Sequence, residues 1–172
     1  MTKTVIQFIV LFLALVLLQL VCTKIVLWGI AMPVVFIYLI LRLPVNLHDG
    51  WVLTIAFFTG LLIDIFSNTP GMNALACTVM AALRRPVFNL FVSRENDMNI
   101  PIPSVDSMGV GDYFKYMSVL VTLYCALIFM IQAFTLHNIG LTLARIAASS
   151  VLSIIIIFGL DSLVSTRREK RL

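Results

Sequence analysis

Apolar residues gather into six blocks along the chain, separated by short polar breaks. The first runs from about Thr4 to Val21 and the second from about Ile25 to Leu41, with only Cys22-Thr23-Lys24 between them. The third covers Val52 to Phe66 and the fourth about Met72 to Leu83. The fifth covers roughly Tyr113 to Leu136 and the sixth Ile139 to about Val164. A bilayer-spanning helix needs about 20 mostly apolar residues, so this pattern predicts six transmembrane helices. Pro33 falls inside the second block, where it predicts a kink.

The breaks carry their own signals. Arg42 to Trp51 is a polar turn containing Pro44, His48, Asp49 and Gly50. Arg84-Arg85-Pro86 ends the fourth block, leaving Val87 to Val92 as a short apolar stretch along the interface. Residues Ser93 to Asp112, with Pro101, Pro103, Gly109 and Gly111, read as a mobile cytoplasmic loop. The opening apolar block lacks a small-x-small cleavage site and is expected to stay as the first helix.

Composition narrows the class. The chain of 172 residues is 61% hydrophobic and 12% charged, with a mean hydropathy of +1.08. Those values exclude an ordinary soluble domain and a disordered chain. Six spans use nearly the whole length, so residues 1–172 form one polytopic domain of an all-α integral membrane protein.

The net charge of +4 does not form a nucleic-acid face, because the basic residues sit at the ends of apolar blocks. With the N-terminus inside, the inner surface receives Lys3, Arg42, Arg84, Arg85, Arg94, Lys115 and four cations of the Arg167–Arg171 tail. The outer connections hold Lys24. That asymmetry predicts cytoplasmic N- and C-termini. Cys22, Cys77 and Cys125 are scattered singly and read as small apolar packers. His48 and His137 fall on opposite sides of the membrane, and no nucleophile, metal or phosphate motif has compatible spacing. Neither catalysis nor a cofactor is expected.

One residue breaks the apolar pattern. Asp64 is the single acidic residue between Val52 and Phe66. An unpaired charge at that depth costs several kcal/mol, which makes it a functional-site candidate. Three readings are open: a structural pair or helix-end hydrogen bond, a proton or ion site, and a ligand contact. No second embedded carboxylate supports a proton relay, so the structural reading is favoured. At ~1.5 Å per residue, Asp64 lies about 20 Å above the start of the third helix and Arg145 about 9 Å below the start of the sixth. In a core of roughly 30 Å those depths coincide. An Asp64–Arg145 ion pair is therefore expected, with snorkelling of Arg145 to the headgroups as its alternative. Asp161, lower on the sixth helix, is expected to meet Arg42, Arg84 or Arg85. Ser67-Asn68-Thr69-Pro70-Gly71-Met72-Asn73 packs turn formers and helix caps together and predicts a tight hairpin.

From Gly60 onward the chain resembles a known family. Gly60-x-x-x-Asp64-x-x-Ser67, followed by Thr69-Pro70-Gly71-x-Asn73-Ala74-Leu75, is similar to the signature of the MreD family of bacterial rod shape-determining membrane proteins. Family members commonly carry a residue or two between the proline and the glycine, which are adjacent here. The resemblance implies a six-helix fold similar to the substrate-binding subunits of energy-coupling-factor transporters. It implies a non-catalytic scaffold in the bacterial cytoplasmic (inner) membrane, serving peptidoglycan synthesis during elongation. The implied partners are an MreC-like protein, an MreB-like filament and a glycosyltransferase–transpeptidase pair. By the same resemblance Gly60, Asp64, Ser67, Pro70, Gly71 and Asn73 would form a pocket or partner contact. A small-molecule-binding subunit of a transporter is the alternative.

Overall fold

The computed structural model describes residues 10–19, 21, 32–92, 102–132 and 139–169, with side chains through residue 162. The expected spans over 4–9, 22–31 and 133–138 lie outside these, as do residues 93–101. The described residues are helical and contain no strand. We number the helices α1 (Val10–Gln19), α2 (Ile37–Leu41), α3 (Asp49–Ser67), α4 (Met72–Phe91), α5 (Val105–Met108), α6 (Val110–Gln132) and α7 (Ile139–Glu169). Four of them, α3, α4, α6 and α7, are long and apolar enough to cross a membrane. In the pairwise packing α3 lies on α4, α4 on α6 and α6 on α7.

Capping moves several helix ends away from the apolar boundaries. Helix α3 starts before its apolar block because the His48 side chain accepts from the Gly50 amide, with Asp49 in the first turn. Helix α4 does not stop at Arg84-Arg85-Pro86; it continues to Phe91. Proline removes one helical hydrogen bond and disfavours this, but side-chain contacts hold the turn in place. Arg84 donates to the Leu43 carbonyl and, at 3.2 Å, to the Tyr116 hydroxyl. Phe88 is buried edge-on against Tyr116. Arg85 meets the exposed Asp49 at 3.1 Å.

The second apolar block departs most from expectation. The pattern predicts a kinked helix over 25–41, yet among the described residues of that range Met32–Val35 is non-helical and Ile37–Leu41 forms a helix. Val35 to Leu41 is buried on every side. A non-helical backbone in an apolar bundle must find partners for each N–H. Pro33 has none to satisfy. The other three are met by side chains: Met32 by Ser149 (3.0 Å), Val34 by Ser153 (2.9 Å) and Val35 by Gln19 (2.7 Å). Gln19 also donates to the Pro33 carbonyl at 3.1 Å. Ser149 and Ser153 are one helical turn apart on α7, so both reach the same passing strand of chain.

Part of the loop expected to be mobile is docked. Ser104 and Ser107 form a capping box at α5, and α6 begins at Val110 rather than Tyr113. The Val105 amide donates to Asp161 at 3.1 Å. Asp161 is fully buried and, as expected for its depth, meets Arg42, with Nε to Oδ1 at 3.8 Å. Between them the Tyr38 hydroxyl donates to Asp161 and accepts from Arg42, each at 2.8 Å. One carboxylate thus ties α2, α5 and α7 together.

Removing one member of a buried ion pair leaves the other uncompensated, at about 3–5 kcal/mol. Asp161→Leu and Arg42→Met are each expected to destabilise by that order in SDS-titration unfolding from mild micelles. The double variant should lose clearly less than the sum; strict additivity would show that the pair is not coupled.

Candidate functional site

The hairpin between α3 and α4 is built around Asp64. Helix α3 ends at Ser67, and Asn68 takes the left-handed conformation at φ 54° and ψ 41°. The backbone carbonyl of Asp64 accepts from the amides of Asn68 and Thr69 and so closes α3. Gly71, at φ 78°, opens α4. It is required for its backbone angle and not for space, since nothing lies within 4 Å of an added Cβ. Pro70 sits exposed at the turn. The expected tight hairpin is what forms.

Because the N-cap of α4 is a glycine, it offers no side-chain oxygen to the first free amides. The carboxylate of Asp64 replaces it from the preceding helix. Oδ1 accepts from the Asn73 amide at 3.0 Å and Oδ2 from the Ala74 amide at 2.9 Å. These are the second and third residues of the helix, the amides that an N-cap normally serves. The Asn73 side-chain amide and the Thr69 hydroxyl each add a bond to Oδ1 at 2.9 Å. Four donors and the positive end of a helix dipole therefore surround a carboxylate that is 3% exposed.

Gly60 makes this arrangement geometrically possible. An added Cβ there would stand 2.6 Å from the Asn73 carbonyl oxygen and the Ala74 Cα. Only a glycine lets the first turn of α4 lie directly on α3, one turn below the carboxylate that caps it. Gly60, Asp64 and Asn73 form one unit, and the first two sit at i and i+4 on one face.

The expected Asp64–Arg145 pair does not form. Arg145 is exposed on α7, and among the described residues it makes no ion pair. Equal depth places two residues on one level of a bundle but leaves their direction around it open. The donors closest to Asp64 came instead from its own hairpin.

Beside this unit lies a partly open cavity of about 490 Å³. The hairpin contributes Phe66, Ser67, Thr69, Met72 and Asn73. The non-helical segment before α2 contributes Pro33 and the α2 N-cap contributes Phe36, with Gln19 beside them, and α6 contributes Tyr124, Cys125, Ile128 and Phe129. The Tyr124 hydroxyl donates to the side-chain Oδ1 of Asn73, and its ring meets Phe36 edge-on at 5.8 Å. Ser67 and Asn73 reach this wall, whereas Arg145 does not.

Thr69, Tyr124 and Gln19 were not singled out in the sequence. The signal available was their polarity: Gln19 is one of two amides, with Gln7, in its apolar block. Among the described residues no cluster of His, Cys, Asp and Glu is arranged to hold a metal. Compared with known proteins, the chain matches no family model, no curated protein and no solved structure.

Gly60→Ala is expected to cost about 1–3 kcal/mol through overpacking against backbone. Gly159→Ala meets no neighbour and should be neutral or stabilising by up to ~1 kcal/mol. Asp64→Ala should lose about 3 kcal/mol or more, because two helix-start amides lose their acceptor at ~1–3 kcal/mol each. Unfolding titrations in mixed micelles would rank the three; equal effects of the two glycine changes would remove the close-approach argument.

Proposed function

We propose that the chain is a non-catalytic scaffold of the bacterial cell-elongation machinery, of the MreD type, in the cytoplasmic membrane. It crosses the bilayer six times with both termini in the cytoplasm. The supporting observation is the use to which the Gly60–Asp64–Asn73 signature is put. Its carboxylate is wholly engaged by Thr69, Asn73 and Ala74, so the motif builds a hairpin and does not carry protons. The orientation rests on charge. Arg42, Arg84 and Arg85 gather with Asp161 and Asp49 at the end opposite the Ser67–Gly71 turn, in keeping with a positive inner face.

On this reading the working surface is the apolar exterior. Within the spanning part of α7 only 22% is buried, leaving Leu143, Val151 and Ile155 exposed to lipid or to a partner helix. An MreC-like protein is the proposed direct partner, with the filament and synthase reached directly or through it. A second reading, a small-molecule-binding subunit of a transporter, is favoured by the cavity of about 490 Å³ beside the hairpin.

Copurification of the full chain in mild detergent separates the two. Recovery of an MreC-like protein and cell-wall synthases is the expected outcome. An ATPase module in their place would favour the transporter reading, and recovery of neither set would remove the scaffold proposal.

A further inference from the structure

The cavity beside the hairpin has a chemistry that follows from how its own walls are bonded. Among the described residues no Asp, Glu, Lys, Arg or His lines it. An anionic headgroup would meet no cation among them, and burying an unpaired charge costs several kcal/mol.

Gln19, Ser67 and Gln132 bring polar groups to the rim, while on the wall nearest Asp64, formed by Thr69, Asn73 and Tyr124, the side-chain hydrogens are accounted for. The Thr69 hydroxyl donates to Asp64. Both amide hydrogens of Asn73 go to Asp64 and Thr69. The Tyr124 hydroxyl donates to Asn73. What this wall still offers is oxygen lone pairs. Behind it stands the Asp64 carboxylate. Both Asp64 oxygens are already covered by donors, so an ammonium group would find no carboxylate to contact. Phe36, Ile128 and Phe129 supply an apolar and aromatic part of the lining.

We propose that this cavity binds an uncharged amphiphile that donates hydrogen bonds from a hydroxyl or amide end to Thr69, Asn73 and Tyr124. Its apolar body lies among Phe36, Ile128 and Phe129. The volume of about 490 Å³ suits a single-chain lipid or a molecule of similar size. The site stands whether the chain serves as scaffold or as transporter subunit, since it depends on the wall and not on any partner protein.

The test uses the full chain in phosphatidylcholine nanodiscs and a monoacylglycerol carrying a diazirine in its acyl chain. Photolabelling, mapped by mass spectrometry, is expected to concentrate on Met72, Ile128 and Phe129. Unlabelled monodecanoylglycerol represents a membrane-borne ligand and phenyl β-glucoside a water-borne one. Competition by either supports the site, and the stronger competitor identifies the source. Decyl phosphate should compete about tenfold less well than monodecanoylglycerol, the ratio expected for losing one to two hydrogen bonds.

Ser67→Trp, which fills the rim, should abolish the focused labelling with the thermal midpoint unchanged. Ile128→Trp fills the cavity from α6 and serves if the first variant does not fold. Labelling spread evenly over exposed positions such as Leu90 and Ile155 would overturn the proposal. Equal competition by decyl phosphate, or by neither neutral compound, would do the same. Copurification reads none of these quantities, so the site and the scaffold reading fail separately.

Discussion

A carboxylate on one helix that caps the next is the constraint on which this structure turns. Helix α4 begins at a glycine, which supplies the backbone angle for a tight turn but no oxygen for the amides that follow. Asp64 supplies that oxygen with its side chain while its own carbonyl closes α3. The two tasks fix the hairpin at both ends from a single residue. They also require the helices to touch at Gly60, where any Cβ would strike the backbone of Asn73 and Ala74. In a bilayer an uncapped helix start has no water to turn to, so the cap matters more than it would at a soluble surface.

The same rule explains the rest of the polar inventory. An apolar bundle tolerates buried polar groups when each finds a partner. Ser149, Ser153 and Gln19 serve the free amides of the non-helical Met32–Val35 segment. Tyr38, Arg42 and Asp161 do so at the end opposite the hairpin, where they also hold the Val105 amide. These polar side chains stand where the backbone leaves helical geometry or where a charge must be matched. The irregular Met32–Val35 backbone is thus buried or half-buried within the protein.

The cavity is a by-product of this economy. The Met32–Val35 segment is not helical, and the hairpin turns tightly at Gly71. Between them a space opens beside Tyr124. The residues that hold Asp64 also form its wall, which links the motif to a binding surface without exposing the carboxylate. A residue that looked functional for its charge contributes through the hydrogen-bond direction it imposes on its neighbours.

Much was legible in the sequence because hydrophobicity and turn chemistry are local. The helical class, the hairpin at Ser67–Asn73 and the partner of Asp161 followed from apolar blocks, Pro-Gly spacing and depth. Helix ends were less legible: caps such as His48, and side-chain anchors such as Arg84, set them independently of hydropathy. Tertiary structure alone decided that Pro33 lies in a non-helical segment, because the amides of Met32 and Val34 on either side of it are met by serines 117 and 119 residues away. It also turned Asp64 from Arg145 to the start of α4. Sequence spacing determines height along a helix; which neighbour a side chain faces is set by how the helices pack around one another.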